Sequence, residues 1–171
     1  REFNELTITA AALGRVSGAP DPRVRQISDA LVRHLHAFVR EIEPSFEEYV
    51  GGVILYDETI RQAADDGTSF PELLASKGVV PGIKVDTGAQ DLAGYPGEKV
   101  TEGLDGLRGR FAEYHELGAR FSKWRAVITI GDGIPTDACL HVNAHALARY
   151  AALSQEAGIV PIVEPEVLMD A

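Results

Sequence analysis

An α/β fold with a parallel sheet, preceded by an α-helical N-terminal segment, is predicted from three observations. Beyond Tyr49 short apolar runs alternate with polar, helix-length stretches, the signature of repeated strand and helix units. Before Tyr49 the apolar residues recur every three or four positions, the helical period. The 171-residue chain, 45% hydrophobic and 25% charged, has the composition of a globular domain.

The N-terminal segment, residues 1–48, opens with a predicted helix from about Asn4 to Val16, broken by Ser17, Gly18 and Pro20. A second helix starts at Asp21 as N-cap with Pro22 at its first position, and Pro44 closes it. Val24, Ile27, Leu31, Leu35, Phe38, Val39 and Ile42 form one apolar stripe that needs a partner to bury it.

Residues 50–171 carry four strand candidates, Gly52 to Tyr56, Gly82 to Val85, Ala126 to Ile130 and Ile159 to Val163. The intervening helices are expected from about Phe70 to Ser76, Gly103 to Glu116 and Asp137 to Ala157. Thr87 to Lys99, rich in Gly and Pro, reads as a loop after the second strand, and Asp65 and Asp66 before Gly67 read as a solvated turn.

Charge excludes several function classes. A net charge of −10 argues against nucleic acid or an anionic membrane surface as the main partner, though local cations can still hold a phosphate. The single Cys139 cannot form an intramolecular disulfide, no leader is expected from the opening residues, and no apolar run approaches the roughly 20 residues that span a bilayer. A cytoplasmic location is expected. His141 and His145 stand at i, i+4 spacing without the partners of a metal site, and the glycines near Gly131 and Gly133 make neither a dinucleotide fingerprint nor a P-loop. Neither metal nor cofactor is expected.

Charged residues in otherwise apolar strands are the informative exceptions, because burying them unpaired is costly. Period-two alternation puts Lys84 and Asp86 on one face and Ile83 and Val85 on the other. Lys84 is then either a lumen lysine able to bind phosphate or move a proton, or a strand-end lysine snorkelling to solvent. Lys123 and Arg125 share a face, as an anion site or merely as a basic lead-in to a strand, while Trp124 points the other way to pack. Glu164 and Glu166 also share a face; their mutual repulsion is expected to raise the pKa of at least one and suit it to acid–base work, the alternative being a solvated acidic loop. Pro165 between them argues against an ordinary central strand there.

From Gly51 to Asp170 the stretches GGVILYDETIRQAADDGTSFPELLASKGVVPGIKVDTG, LAGYPGEKVTEGLDGLRGR, FSKWRAVITIGDG and NAHALARYAALSQEAGIVPIVEPEVLMD resemble class I fructose-bisphosphate aldolase. The resemblance implies a partial TIM (β/α)8 barrel contributing about four parallel strands, and a lyase of glycolysis that cleaves fructose 1,6-bisphosphate to triose phosphates through a Schiff base. It implies that Lys84 contacts substrate phosphate, that Lys123 and Arg125 meet the sugar and phosphate groups with Lys123 also catalytic, that Glu164 is the general acid and base, and that Glu166 is a second catalytic carboxylate beside the Schiff-base lysine. The imine-forming lysine of the family belongs to a sixth strand, which would follow Ala171. The aspartate of the family's first strand has no counterpart in residues 1 to 50, so the chain is expected to be truncated relative to the family. The alternatives are a non-catalytic scaffold and a sugar-phosphate-binding half-barrel.

LTITAAALGRVSGAPDPRVRQISDALVRHLHAFVREIEPSFEEY is similar instead to the helical N-terminal segment of intradiol ring-cleavage dioxygenases, hydroxyquinol and catechol type. That resemblance implies dimerisation and gives no residue an iron role. Homo-oligomer formation through these helices or through open sheet edges is therefore expected, because a half-barrel exposes two edges and an inner face.

Overall fold

The computed structural model describes residues 49–168, and the helices expected within residues 1–48 lie outside them. Glu47–Ala171 forms one compact unit. Its strands are β1 (Gly52–Leu55), β2 (Val80–Lys84), β3 (Gly88–Asp91), β4 (Lys99–Glu102), β5 (Phe121–Thr129) and β6 (Val160–Leu168). The helices are α1 (Asp57–Ile60), α2 (Phe70–Ser76), α3 (Leu107–Glu116) and α4 (Asp137–Glu156). β1, β2, β5 and β6 pair in that order, all parallel, as one stretch of a β/α barrel wall.

Helix starts follow local chemistry. Ser69 and Glu72 form a reciprocal capping box and Pro71 occupies the first turn, so α2 has the expected limits. Thr136 caps α4 by accepting from the Cys139 amide. α3 begins at Leu107, later than expected, because Gly106 before it adopts a left-handed φ of 65° that a helix cannot include.

Three strand expectations are corrected. β5 begins at Phe121 rather than Ala126. The charges of Lys123 and Arg125 had hidden a strand whose alternate residues Ser122, Trp124, Ala126 and Ile128 are all buried. β6 continues to Leu168 straight through Pro165. The Val160 amide donates to the carbonyl of Arg120, just before β5, so alternation turns the positions of Pro161 and Pro165 away from β5, where a missing N–H breaks no bond of this ladder. Within 87–99 the expected loop contains β3 and the first residue of β4, which pair antiparallel from Gly88↔Glu102 to Asp91↔Lys99. Their short length and small residues gave no strand pattern. The four-residue α1 likewise had no periodicity to reveal it.

Packing divides the sheet into two unlike faces. On the helical side, fully buried Trp124 lies 5.5 Å from Tyr150 between ring centroids, and Tyr150 lies 6.2 Å from Phe111 of α3. A buried hydroxyl chain runs beneath: Ser122 Oγ is 2.8 Å from both Tyr150 OH and Ser154 Oγ, Tyr150 donates to the Ile162 carbonyl and Ser154 to that of Ile159. Burial, partly offset by these bonds, pushes the Tyr150 phenol up to about 12. α4 is thereby tied to both β5 and β6, and every hydroxyl removed from water is satisfied.

The opposite face carries the charged residues, except at the N-terminal end of the strands. There the Phe121 ring fills the space left by Gly82 and Gly52; a Cβ at Gly82 would stand 2.3 Å from it. Gly82→Ala should cost about 1–3 kcal/mol through overpacking, read by urea unfolding. Adding Phe121→Leu should recover part of the loss, and additive losses would show that the ring is not the obstacle.

Candidate active site

Strand register assembles the site. Lys84 of β2 is paired with Lys123 of β5, and Arg125 of β5 with Glu164 of β6. In a parallel ladder, paired residues project from the same face on strands about 4.8 Å apart. Two lysines so placed would repel, and each is turned to a carboxylate of its own. Lys84 Nζ lies 2.5 Å from Asp86 Oδ1, and Lys123 Nζ lies 2.7 Å from Glu164 Oε2, an ion pair without hydrogen-bond alignment. Arg125 Nε donates to Glu166. All five residues singled out in the sequence, Lys84, Lys123, Arg125, Glu164 and Glu166, thus meet on one face, interleaved and charge-balanced with Asp86.

Burial grades across this cluster. The Asp86 side chain is 2% exposed and Lys84 17%, whereas Arg125 and Glu166 are 42% and 38% exposed. The outer pair therefore adds at most about 1 kcal/mol to stability. Glu166 shifts opposite to the direction that repulsion by Glu164 would give: the hydrogen-bonded Arg125 guanidinium holds its carboxyl below the usual glutamate range. A cation in contact outweighs a carboxylate two residues along the strand. Trp124 is a packing residue, as its parity indicated.

Three contributors carried too little sequence signal to be singled out for the site. Asp86 was visible only by its parity with Lys84. Tyr56, just after β1, presents its ring 5.8 Å from Lys84 Nζ, a cation–π distance. Thr101 of β4 donates to the Arg125 carbonyl, a contact from 24 residues away that no local pattern could disclose. A cavity of about 860 Å³ opens beside the ends of β1 and β2, lined by Tyr56, Lys84, Asp86, Glu102 and Arg110 among others.

Among the described residues no group of three or more His, Cys, Asp or Glu is placed to hold a metal ion, and His141 and His145 are exposed on α4. No helix of these residues is long and apolar enough to cross a membrane.

The parallel strands, with cations and carboxylates alternating on one face beyond the strand N-termini, define a β/α-barrel protein with a charged face. Residues 30–171 match the glycolytic family described as fructose-bisphosphate aldolase class-I, and the chain belongs to that family. The match begins at residue 30, earlier than Gly51 and inside the segment read as separate. A probable fructose-bisphosphate aldolase class 1 of Xanthomonas campestris pv. campestris is 65% identical over 127 residues, 74% of this chain and 38% of that protein. Cytosolic fructose-bisphosphate aldolase 6 of Arabidopsis thaliana is 56% identical over 121 residues, 71% of this chain and 34% of the relative. A crystal structure of Plasmodium falciparum fructose-bisphosphate aldolase, in complex with TRAP and a small-molecule inhibitor, superposes with a TM-score of 0.70 at 44% identity, covering 74% of this chain and 37% of that one. The chain spans little more than a third of the length of these proteins.

The Glu166 shift fixes the sign of a pH effect. A carboxylate whose folded pKa is depressed contributes stability that is present above its unfolded value and lost as pH falls through the folded one. A 13C-carboxyl titration should place the Glu166 midpoint below the ordinary value of about 4.3, and Arg125→Met should return it to that range and flatten the loss of melting temperature in acid. An unmoved midpoint would remove Arg125 as the cause.

Proposed function

We propose that this chain supplies the phosphate-binding and acid–base strands of a class I aldolase that cleaves fructose 1,6-bisphosphate to triose phosphates in glycolysis. The observation that carries the reading is the in-register array of Lys84, Lys123 and Arg125 against Asp86, Glu164 and Glu166 on one face of β2, β5 and β6. A phosphate entering this face meets three cations on two adjacent strands. Lys84 and Arg125 are its ligands, and Lys123 reaches the sugar hydroxyls. Glu164, in contact with Lys123, is positioned to give and take the proton that carbinolamine dehydration requires. The covalent step needs a lysine that the family resemblance places on a later strand.

A binding-only half-barrel is the second reading, favoured by the charge balance of the cluster, in which each cation already has a carboxylate. Self-association is proposed as well, through residues 1–48, by their apolar stripe and dioxygenase-like sequence, or through the β6 edge, where Val160, Val163 and Val167 are exposed. A cytoplasmic location is supported by the cytosolic and cytoplasmic names of plant relatives from Arabidopsis thaliana and Pisum sativum.

Calorimetric titration with dihydroxyacetone phosphate should show binding that Lys84→Ala or Lys123→Ala weakens by roughly ten- to hundredfold each, the loss of one charge-assisted contact of about 1.5–3 kcal/mol. Glu164→Gln should leave this affinity within about twofold, as expected of a group whose contribution is to the transition state. Borohydride treatment of the mixture should leave Lys84 and Lys123 unmodified. An adduct on either would reassign the nucleophile, and unchanged affinity in both lysine variants would move the site elsewhere.

A further inference from the structure

The ladder between β2 and β5 stops early, and what replaces it points to a residue with no role so far. Register pairs run from Gly82↔Phe121 to Lys84↔Lys123, and the last main-chain bond is from the Val85 amide to the Lys123 carbonyl. Beyond this the β2 chain peels away into the β3–β4 hairpin, leaving the Arg125 main chain without a strand partner on that side. Two buried side chains fill the gap. Asp86 Oδ2 accepts from the Arg125 amide at 3.4 Å, and the Thr101 hydroxyl donates to the Arg125 carbonyl at 2.8 Å. The other oxygen of the same carboxylate, Asp86 Oδ1, holds the Lys84 ammonium at 2.5 Å.

Asp86 is itself held on both sides. Arg110 donates to the Val85 carbonyl before it and to the Gly103 carbonyl, and the Thr87 amide after it donates to the Glu102 carbonyl. Gly103, at φ 128°, lets the returning strand pass so close that a Cβ there would meet the Thr87 nitrogen at 2.9 Å and the Asp86 Cα at 3.1 Å. A backbone pinned this way leaves the buried carboxylate little freedom.

We propose that Asp86 is a positioning residue, whose single carboxylate sets the Lys84 ammonium of β2 and the Arg125 main chain of β5 in one frame, so that both cations meet the same anionic ligand. The ligand part of this rests on the sugar-phosphate reading above; the frame does not. Asp86 touches neither substrate nor reacting atoms in this role. It acts through Lys84 and Arg125.

Trace acetylation of the full 171-residue chain, with the Lys84 to Lys123 labelling ratio read by mass spectrometry, tests the frame without a ligand. Asp86→Asn should free the Lys84 amine and raise that ratio severalfold, while Thr101→Val, which removes the other prop of the Arg125 main chain, should leave it unchanged. An unchanged ratio in Asp86→Asn, or an equal rise in Thr101→Val, overturns the frame. Titration with dihydroxyacetone phosphate then separates placement from charge. Positioning predicts weaker binding in Asp86→Asn, although the site gains a positive charge, and weaker binding in Asp86→Glu, which keeps the charge but displaces it by one methylene. Tighter binding in Asp86→Asn with wild-type affinity in Asp86→Glu would make Asp86 a charge compensator and overturn the proposal. A raised labelling ratio in a chain that binds no sugar phosphate would support the frame and reject the ligand reading alone.

Discussion

The nine-pair ladder between β5 and β6, from Phe121↔Val160 to Thr129↔Leu168, is the constraint on which the rest of the unit depends. It is the longest pairing in the sheet, and its register decides which side chains share a face. Alternation along β5 puts Ser122, Trp124, Ala126 and Ile128 under the helices and Lys123 and Arg125 on the other side. The same alternation along β6 brings Glu164 and Glu166 beside them. A slip of one residue in β5 would bury Lys123 and Arg125 and expose Trp124, so the hydrophobic face enforces the geometry of the charged one.

Electrostatic economy follows from that register. Three cations and three carboxylates occupy one face, and the pairing is local: Lys84 to Asp86, Lys123 to Glu164, Arg125 to Glu166. Cross-strand like charges, which would destabilise an open ladder, are each neutralised within contact distance. The most buried pair stands beside the end of the β2–β5 ladder, where Asp86 also serves the main chain, and the most exposed pair bridges β5 to the edge strand β6. Each of these three cations already has a carboxylate partner, so none stands bare on this face.

The β3–β4 hairpin, which no apolar period announced, is fastened at several points. Glu98 accepts from both the Thr136 amide and hydroxyl at 2.7 Å, locking the hairpin turn to the start of α4, and Asn143 of α4 donates to the Lys99 carbonyl. Thr101 ties the returning strand to Arg125. An excursion rich in glycine thus becomes part of the wall that positions the site, held by side chains from elements far along the chain.

Much was legible in the sequence because it depends on period and local chemistry. Helix α2 with its capping box, the length of α4, the four parallel strands and the shared faces of Lys84 with Asp86, Lys123 with Arg125 and Glu164 with Glu166 all follow from residue spacing read against 2.0- and 3.6-residue repeats. The extent of β5 and β6 did not, because inward charges and a proline mimic the end of a strand when strand order is unknown. Pairing decided three things that no single strand encodes. Pro165 is harmless because its missing N–H faces away from β5. Glu166 is more acidic than usual because the Arg125 side chain reaches it diagonally across the β5–β6 ladder, which outweighs repulsion by Glu164. Asp86 faces both Lys84 and the Arg125 amide because β2 turns away one residue earlier. Spacing along the chain determines faces, whereas charge environment depends on what a neighbouring strand sets opposite, and only the folded sheet supplies that.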